Sequence, residues 1–209
     1  MRQQYSKLAI FGGTFNPIHC GHLIAAEAVR EKLQLDRVIF MTSGRPPHKN
    51  DEHLASAEDR YEMVRSAIAS NPYFEASRIE LDRKGYTYTV DTLRTLKKEY
   101  GDTTRLYFII GTDIVDELTT WKEYENVFKL CEFVTVLRPG YDRSKLDTDI
   151  KRLKEQYNVG IHVVTIPLID ISSTDIRERC TLGRSIKYLV TDATEQFIIQ
   201  HKLYGQNEA

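Results

Sequence analysis

Residues 8–22 read LAIFGGTFNPIHCGH, and the architecture of the whole chain can be worked out from this segment. Its first four residues are all apolar, which is typical of a buried strand. Two glycines follow, and they allow the backbone to turn and to approach a ligand closely. Beyond the segment, apolar residues recur every four positions and predict a helix over 23–35. A strand, a glycine turn and a helix in this order are typical of a parallel α/β sheet.

The same alternation continues along the chain. Short apolar runs predict strands over 38–41, 106–110, 133–137 and 161–166, with 77–81 as a further candidate. Amphipathic segments predict helices over 57–70, 89–100, 144–157 and 192–201, and broken helices over 112–130. We therefore predict an α/β fold: a Rossmann-like doubly wound parallel sheet with helices on both faces and a C-terminal helical segment. No linker rich in glycine, serine or proline divides the chain, so residues 1–209 are expected to form a single domain.

The topology also predicts where a ligand binds. Open parallel sheets bind ligands outside the carboxyl ends of their strands. We therefore expect the loops after Phe11, Met41, Ile110 and Ile166 to line the functional site.

Composition excludes several classes of protein. The 209 residues are 41% hydrophobic and 28% charged, which argues against intrinsic disorder. Lysine and arginine (29) nearly balance aspartate and glutamate (30), so no basic footprint for nucleic acid is present. The three cysteines lie far apart without a CxxC pair, which indicates free thiols in a reducing cytoplasm. No apolar run approaches a signal-peptide core or a membrane span, so a cytoplasmic protein without membrane contact is expected.

The loop after the first strand carries the strongest chemical signal. His19 and His22 lie three residues apart where the next helix begins, so both imidazoles can face one ligand. A helix N-terminus offers unpaired N–H groups and positive potential, and together these groups suit a polyphosphate. The Walker pattern, GxGxxG and HExxH are all absent, and no protein-held metal site is expected. The competing interpretation is a glycine-rich turn with two surface histidines.

Two later motifs fit the same chemistry. Ser172 and Asp175 have capping-box spacing, so a helix is expected to begin there, with hydroxyls, N–H groups and Arg177 converging on an anion. Gly111 and Asp113 follow an apolar strand, where the glycine permits close approach and the carboxylate can accept hydrogen bonds from ribose hydroxyls. Taken alone, an ordinary capped surface helix and a strand-end turn would explain these two motifs.

The string GGTFNPIHCGH resembles the HxGH signature of the nucleotidyltransferase superfamily, and most closely that of bacterial nicotinate mononucleotide adenylyltransferases. The strings ISSTDIR (171–177), GTD (111–113), PPHK (46–49) and YTVDT (88–92) and the single Trp121 are similar to segments of that family in the same order. Two departures stand out. The family commonly has Asp where this chain has Asn16, and an aromatic residue or His where it has Lys122.

The resemblance implies transfer of the adenylyl group of ATP to nicotinate mononucleotide, with Mg²⁺ accompanying the ATP. It implies catalytic roles for His19, His22 and Arg177. It implies ATP binding by Gly12, Gly13, Thr14, Phe15, Gly21, Gly111, Asp113, Ser172, Ser173 and Thr174. It implies binding of the pyridine substrate by Asn16, His48, Lys49, Tyr88, Thr89 and Trp121. Two functional alternatives stay open: nicotinamide mononucleotide or another phosphate as acceptor, and a nucleotide-binding regulator without turnover. The oligomeric state stays open as well, with a homodimer as the candidate.

Overall fold

The computed structural model describes residues 5–44, 54–137, 143–167 and 169–205. Six strands form one fully parallel sheet in the order β3-β2-β1-β4-β5-β6. The strands are β1 (Lys7–Gly13), β2 (Arg37–Thr42), β3 (Phe74–Ser77), β4 (Arg105–Gly111), β5 (Glu132–Leu137) and β6 (Ile161–Thr165). From β1, the strands β2 and β3 extend to one edge of the sheet, and β4, β5 and β6 extend to the other. This arrangement is typical of doubly wound sheets and confirms the predicted fold class.

Seven α-helices connect or follow these strands in the described residues. They are α1 (Cys20–Leu33), α2 (Ala57–Ile68), α3 (Thr89–Tyr100), α4 (Tyr124–Leu130), α5 (Arg143–Tyr157), α6 (Ser173–Thr181) and α7 (Asp192–Gln200). A 3₁₀ helix over Thr112–Thr120 precedes α4, which agrees with the broken helices predicted over 112–130. None of the helices in the described part of the chain is long and apolar enough to cross a bilayer.

The sheet is covered on both faces, because successive side chains of each strand point to opposite sides. Along β1, Ala9 packs in a core with apolar residues of α1, α2, α6 and α7. Its neighbours Leu8 and Ile10 pack in a second core with apolar residues of α3, α4 and α5. All three side chains are fully buried. The near-continuous apolar character of the strands therefore reflects burial on two sides.

Most element boundaries lie within one or two residues of the predictions, and two starts differ by three residues. The strand expected over 77–81 lies earlier, at Phe74–Ser77, where buried Phe74 pairs with β2. Helix α1 begins at Cys20 instead of 23, because His19 already serves as its N-cap. Helix α7 begins at Asp192, as predicted, and Thr191 is its N-cap: the Thr191 hydroxyl accepts the Thr194 N–H at 3.2 Å.

Candidate active site

The first loop joins β1 to α1 and turns through Phe15, whose φ is +49°. Its path brings His19 to the N-cap of α1, where His19 is 6% exposed. Gly21 follows, and a Cβ at this position would lie 3.0 Å from the Nδ1 atom of His19. A side chain at position 21 would therefore crowd the His19 ring, which gives the glycine of the HxGH motif a steric reason.

The histidine pair has a defined arrangement. The His22 Nδ1 atom accepts a hydrogen bond from the His19 backbone N–H at 3.2 Å. Because Nδ1 is an acceptor, the ring hydrogen lies on Nε2, which makes Nε2 a donor. The two imidazole rings stack with centroids 3.7 Å apart, and His22 also meets the ring of Phe15 edge to face at 5.1 Å. This packing limits the orientations that His22 can adopt.

Helix α6 begins beside this loop, as the capping spacing predicted. The Ser172 hydroxyl accepts the Asp175 N–H at 3.1 Å. The Ser173 hydroxyl donates to the Pro17 carbonyl at 2.9 Å and so ties the start of α6 to the first loop. Arg177 donates to the Asn16 carbonyl at 3.0 Å. The two motifs, more than 150 residues apart in sequence, therefore form one structural unit.

A cavity of about 760 Å³ opens at the carboxyl ends of the strands. It brings together seven of the predicted site residues: His19, Gly21, His22, Gly111, Asp113, Ser172 and Ser173. Its remaining wall is mostly apolar, formed by Phe11, Ala25, Ile109, Ile110, Thr112, Val136, Ile166, Ile169 and Ile171. A wall of this kind opposite a cluster of donors matches a nucleotide, whose base is flat and largely apolar and whose phosphates accept hydrogen bonds. The volume is in the usual range of ~300–1,000 Å³ for small-molecule sites.

Several predicted residues do not line this cavity. Gly12 and Gly13 are the last residues of β1, Thr14 and Phe15 follow in the loop to α1, and Thr174 lies in the first turn of α6. Arg177 reaches the first loop through its bond to Asn16. His48 and Lys49 lie outside the described residues. The loop after β2 was also expected to line the site, but in the described residues it contributes nothing to this cavity.

Asn16 is engaged within the protein. It is 4% exposed, and its Oδ1 atom accepts hydrogen bonds from the Ala55 N–H at 3.1 Å and the Tyr204 hydroxyl at 2.8 Å. Burial raises the pKa of the Tyr204 hydroxyl above its usual range, so it remains a donor. This oxygen therefore links the first loop to the segment before α2 and to the C-terminal segment.

A second group of predicted residues gathers at the start of α3. Tyr88 is the N-cap residue of this helix, and Thr89 is its first residue. The Lys122 ammonium lies 4.0 Å from the centre of the Tyr88 ring. Trp121 is half-buried and meets Phe108 and Phe133 edge to face, with ring centroids 5.7 and 6.0 Å away. The segments around Thr89 and Trp121 are thus neighbours, although they are about thirty residues apart.

One organising residue escaped the sequence analysis. Arg60 is 1% exposed and donates to the carbonyl oxygens of Thr14 at 2.7 Å, Ser43 at 2.9 Å and Ala55 at 3.1 Å. Burial lowers the pKa of its guanidinium. It joins the loops after β1 and β2 to the start of α2. No signal in the sequence marks it, because an arginine in an amphipathic helix ordinarily belongs to the exposed face.

Comparisons with known proteins agree with this geometry. Residues 10–179 match the model of the cytidylyltransferase-like family. A protein of Thermoanaerobacter sp. (strain X514) named "Probable nicotinate-nucleotide adenylyltransferase" is 48% identical over 202 residues, covering 97% of this chain and 96% of its own. A protein of Moorella thermoacetica with the same name is 46% identical over 198 residues, covering 95% of this chain and 91% of its own.

Solved structures share the fold. The structure titled "Plasmodium falciparum nicotinic acid mononucleotide adenylyltransferase complexed with NaAD" matches with a TM-score of 0.76 at 21% identity, covering 95% of this chain and 97% of that one. At this identity the likeness concerns the fold, while the bacterial relatives carry the assignment. The chain therefore belongs to the cytidylyltransferase-like family and, within it, to the nicotinate-nucleotide adenylyltransferases.

Proposed function

We propose that this chain transfers the adenylyl group of ATP to nicotinate mononucleotide, giving deamido-NAD and pyrophosphate. The observation that carries the proposal is that one cavity is lined together by His19, His22, Gly111, Asp113 and the Ser172–Ser173 pair. The starts of α1 and α6, two imidazoles and two serines share this cavity with an apolar wall. The names of the bacterial relatives support the same reaction.

The reaction makes modest chemical demands on the protein. A phosphate oxygen of the mononucleotide attacks the α-phosphorus of ATP in line, and the bond from that phosphorus to the bridging oxygen of pyrophosphate breaks. The nucleophile is already anionic at neutral pH, so no side chain has to remove a proton from it. Catalysis then depends on positioning the reactants and on stabilising negative charge as it develops.

The phosphate side is assigned to the first loop and α6. The His22 Nε2–H and the His19 ring would bond phosphate oxygens of the transferred group. Arg177 and the hydroxyls of Ser172, Ser173 and Thr174 would hold the β- and γ-phosphates, for which a planar guanidinium is well suited. Gly12, Gly13, Thr14, Phe15 and Gly21 would contribute by shaping the loop around the nucleotide.

The nucleoside side is assigned to the end of β4 and the apolar wall. Gly111 allows close approach of the backbone, and the Asp113 carboxylate would accept hydrogen bonds from the ribose hydroxyls. The adenine ring would lie along the isoleucine-rich wall. Burial of a flat aromatic base against such a surface is favourable because it removes apolar area from water.

The acceptor side is assigned to the segments around Tyr88, Thr89 and Trp121, together with Asn16, His48 and Lys49. The first turn of α3 offers backbone N–H groups as donors. A carboxylate only accepts hydrogen bonds, whereas a carboxamide brings two donor hydrogens of its own. An edge of donors therefore favours the acid, and Lys122 adds positive charge beside Tyr88. For Asn16 we infer an indirect role, since its side-chain oxygen already accepts two hydrogen bonds.

For Mg²⁺, we propose that it enters as the Mg–ATP complex, with phosphate oxygens and water as most of its ligands. Across the described ranges, no three His, Cys, Asp or Glu side chains are grouped so that they could hold a metal ion. Further parts of the proposal are that residues 1–209 act as one domain, in the cytoplasm and without a nucleic-acid partner. A homodimer stays a prediction, which sedimentation of the purified protein would test.

The proposal is tested by pyrophosphate release from Mg–ATP with a panel of phosphate acceptors. We expect kcat/KM for nicotinate mononucleotide to exceed that for nicotinamide mononucleotide by about tenfold to a hundredfold, because a buried amide facing donors costs ~1–3 kcal/mol. Equal values, or a preference for the amide, would overturn the nicotinate assignment and leave adenylyl transfer standing. Tight ATP binding without release for any acceptor would instead favour a nucleotide-binding regulator.

A further inference from the structure

Glu80 lies in the segment between β3 and α3 and plays no part in the chemistry described above. Its carboxyl group is partly buried, and this burial raises its pKa. One hydroxyl bonds it: the fully buried Thr92 donates to Oε1 at 3.0 Å. Thr92 lies in the first turn of α3, three residues after Thr89. This carboxyl group is therefore tied to the helix start proposed to face the pyridine ring.

The backbone around Glu80 is also closely packed. A Cβ at Gly44 would lie 2.7 Å from the Glu80 carbonyl oxygen and 3.5 Å from the Leu81 Cα atom. The segment that carries Glu80 therefore rests directly against the loop after β2. On the other side, Arg83 donates to the Thr95 hydroxyl at 3.4 Å, and its charge favours the ionised form of Glu80. Glu80 thus joins the ends of β2 and β3 to the start of α3.

We propose that Glu80 is a positioning residue for the pyridine-bearing substrate, which it serves by holding the hydroxyl of Thr92 and with it the first turn of α3, where Tyr88 and Thr89 begin the helix. This inference rests on the proposed function and deepens its acceptor side. Without the carboxyl group, the segment has more conformations available. Binding of the pyridine substrate must then order the segment, and this lowers the affinity for that substrate. The nucleotide cavity lies at the ends of other strands, so ATP binding does not carry this cost.

The test compares four variants by steady-state kinetics of pyrophosphate release, with each substrate varied in turn. Glu80→Ala removes the hydrogen bond, and Thr92→Val removes it with little change of shape. Glu80→Gln keeps an acceptor oxygen and is the conservative rescue. Thr148→Val is the matched control: it removes a threonine hydroxyl from another helix, α5, where the hydroxyl donates to the Ser144 carbonyl at 2.9 Å.

We expect Glu80→Ala and Thr92→Val to raise KM for nicotinate mononucleotide by about fivefold to tenfold, the effect of about one lost hydrogen bond. Their KM for ATP should change by less than about twofold, as should both constants of Glu80→Gln and Thr148→Val. Should Glu80→Ala fail to fold, Thr92→Val decides the question.

A merely structural role would lower the melting temperature without separating the two KM values. Equal changes in both constants for Thr92→Val, or none in either, would overturn the inference. The wild-type rate reports separately on the proposed function: a folded wild type that releases no pyrophosphate with nicotinate mononucleotide overturns both. If the wild type is active but the variants do not change the two KM values differently, only the role of Glu80 is overturned.

Discussion

Replacing His22 with alanine tests the central assignment, and the structure allows its two effects to be separated. The Nε2–H would be lost from the developing negative charge. Removal of one such donor in other enzymes lowers kcat by ~10²–10³, about 3–4 kcal/mol, and we expect a loss of that size here. The same substitution removes Nδ1, the acceptor for the His19 N–H, and the ring that packs on His19 and Phe15.

The second effect concerns stability. Losing the acceptor and the ring contacts should lower the free energy of unfolding by about 1–2 kcal/mol. For a chain of this size, each kcal/mol shifts the melting temperature by about 2–4 °C. A lower melting temperature in His22→Ala would therefore say nothing about catalysis, and a control that keeps the capping bond is needed.

His22→Asn supplies that control. Its side-chain oxygen lies at about the distance of Nδ1 from the backbone, so it can accept the His19 N–H, but nothing reaches the position of Nε2. We expect His22→Asn to melt closer to the wild type than His22→Ala does and yet to lose kcat by the same ~10²–10³. Both are measured by pyrophosphate release and thermal unfolding. If a folded His22→Asn protein turned over at nearly the wild-type rate, the role of Nε2 would be refuted.

Two further predictions concern the arginines. Arg177→Lys should raise KM for ATP by about tenfold and KM for the acceptor much less, because a lysine ammonium cannot replace the planar guanidinium that also reaches Asn16. If only the acceptor KM rose, Arg177 would belong to the acceptor side of the site. Arg60→Met should lower the free energy of unfolding by about 3 kcal/mol in urea, because it leaves the buried carbonyls of Thr14 and Ser43 without their donor. A loss below ~1 kcal/mol would mean that those carbonyls find other partners.

The features that sequence reasoning recovered are local. The apolar run LYFII predicts β4 because burial on two faces requires apolar residues in succession. The spacing of Ser172 and Asp175 predicts the start of α6 because a capping bond spans only three residues. The HxGH loop was recognisable for the same reason: its residues are neighbours in sequence.

The features that escaped depend on distant segments. Nothing near Asn16 indicates that its side chain is engaged by Ala55 and Tyr204, which lie 39 and 188 residues away. Likewise, the burial of Arg60 depends on carbonyls from two loops that only the folded sheet brings to it. Glu80 looks like an ordinary charged residue until the chain returns to it at Thr92. The roles of such residues depend on tertiary packing, which no local sequence pattern indicates.

The hydrogen bond between Asn16 and Tyr204 has a consequence for when the site can form during synthesis of the chain. Tyr204 leaves the ribosome 188 residues after Asn16. At the usual ~5–20 residues per second, this separation corresponds to about 10–40 s. During that time the histidine loop exists without the hydroxyl that completes the hydrogen bonding of Asn16, and α6 is absent for most of it. The nascent chain therefore carries the HxGH residues long before it can assemble the site around them.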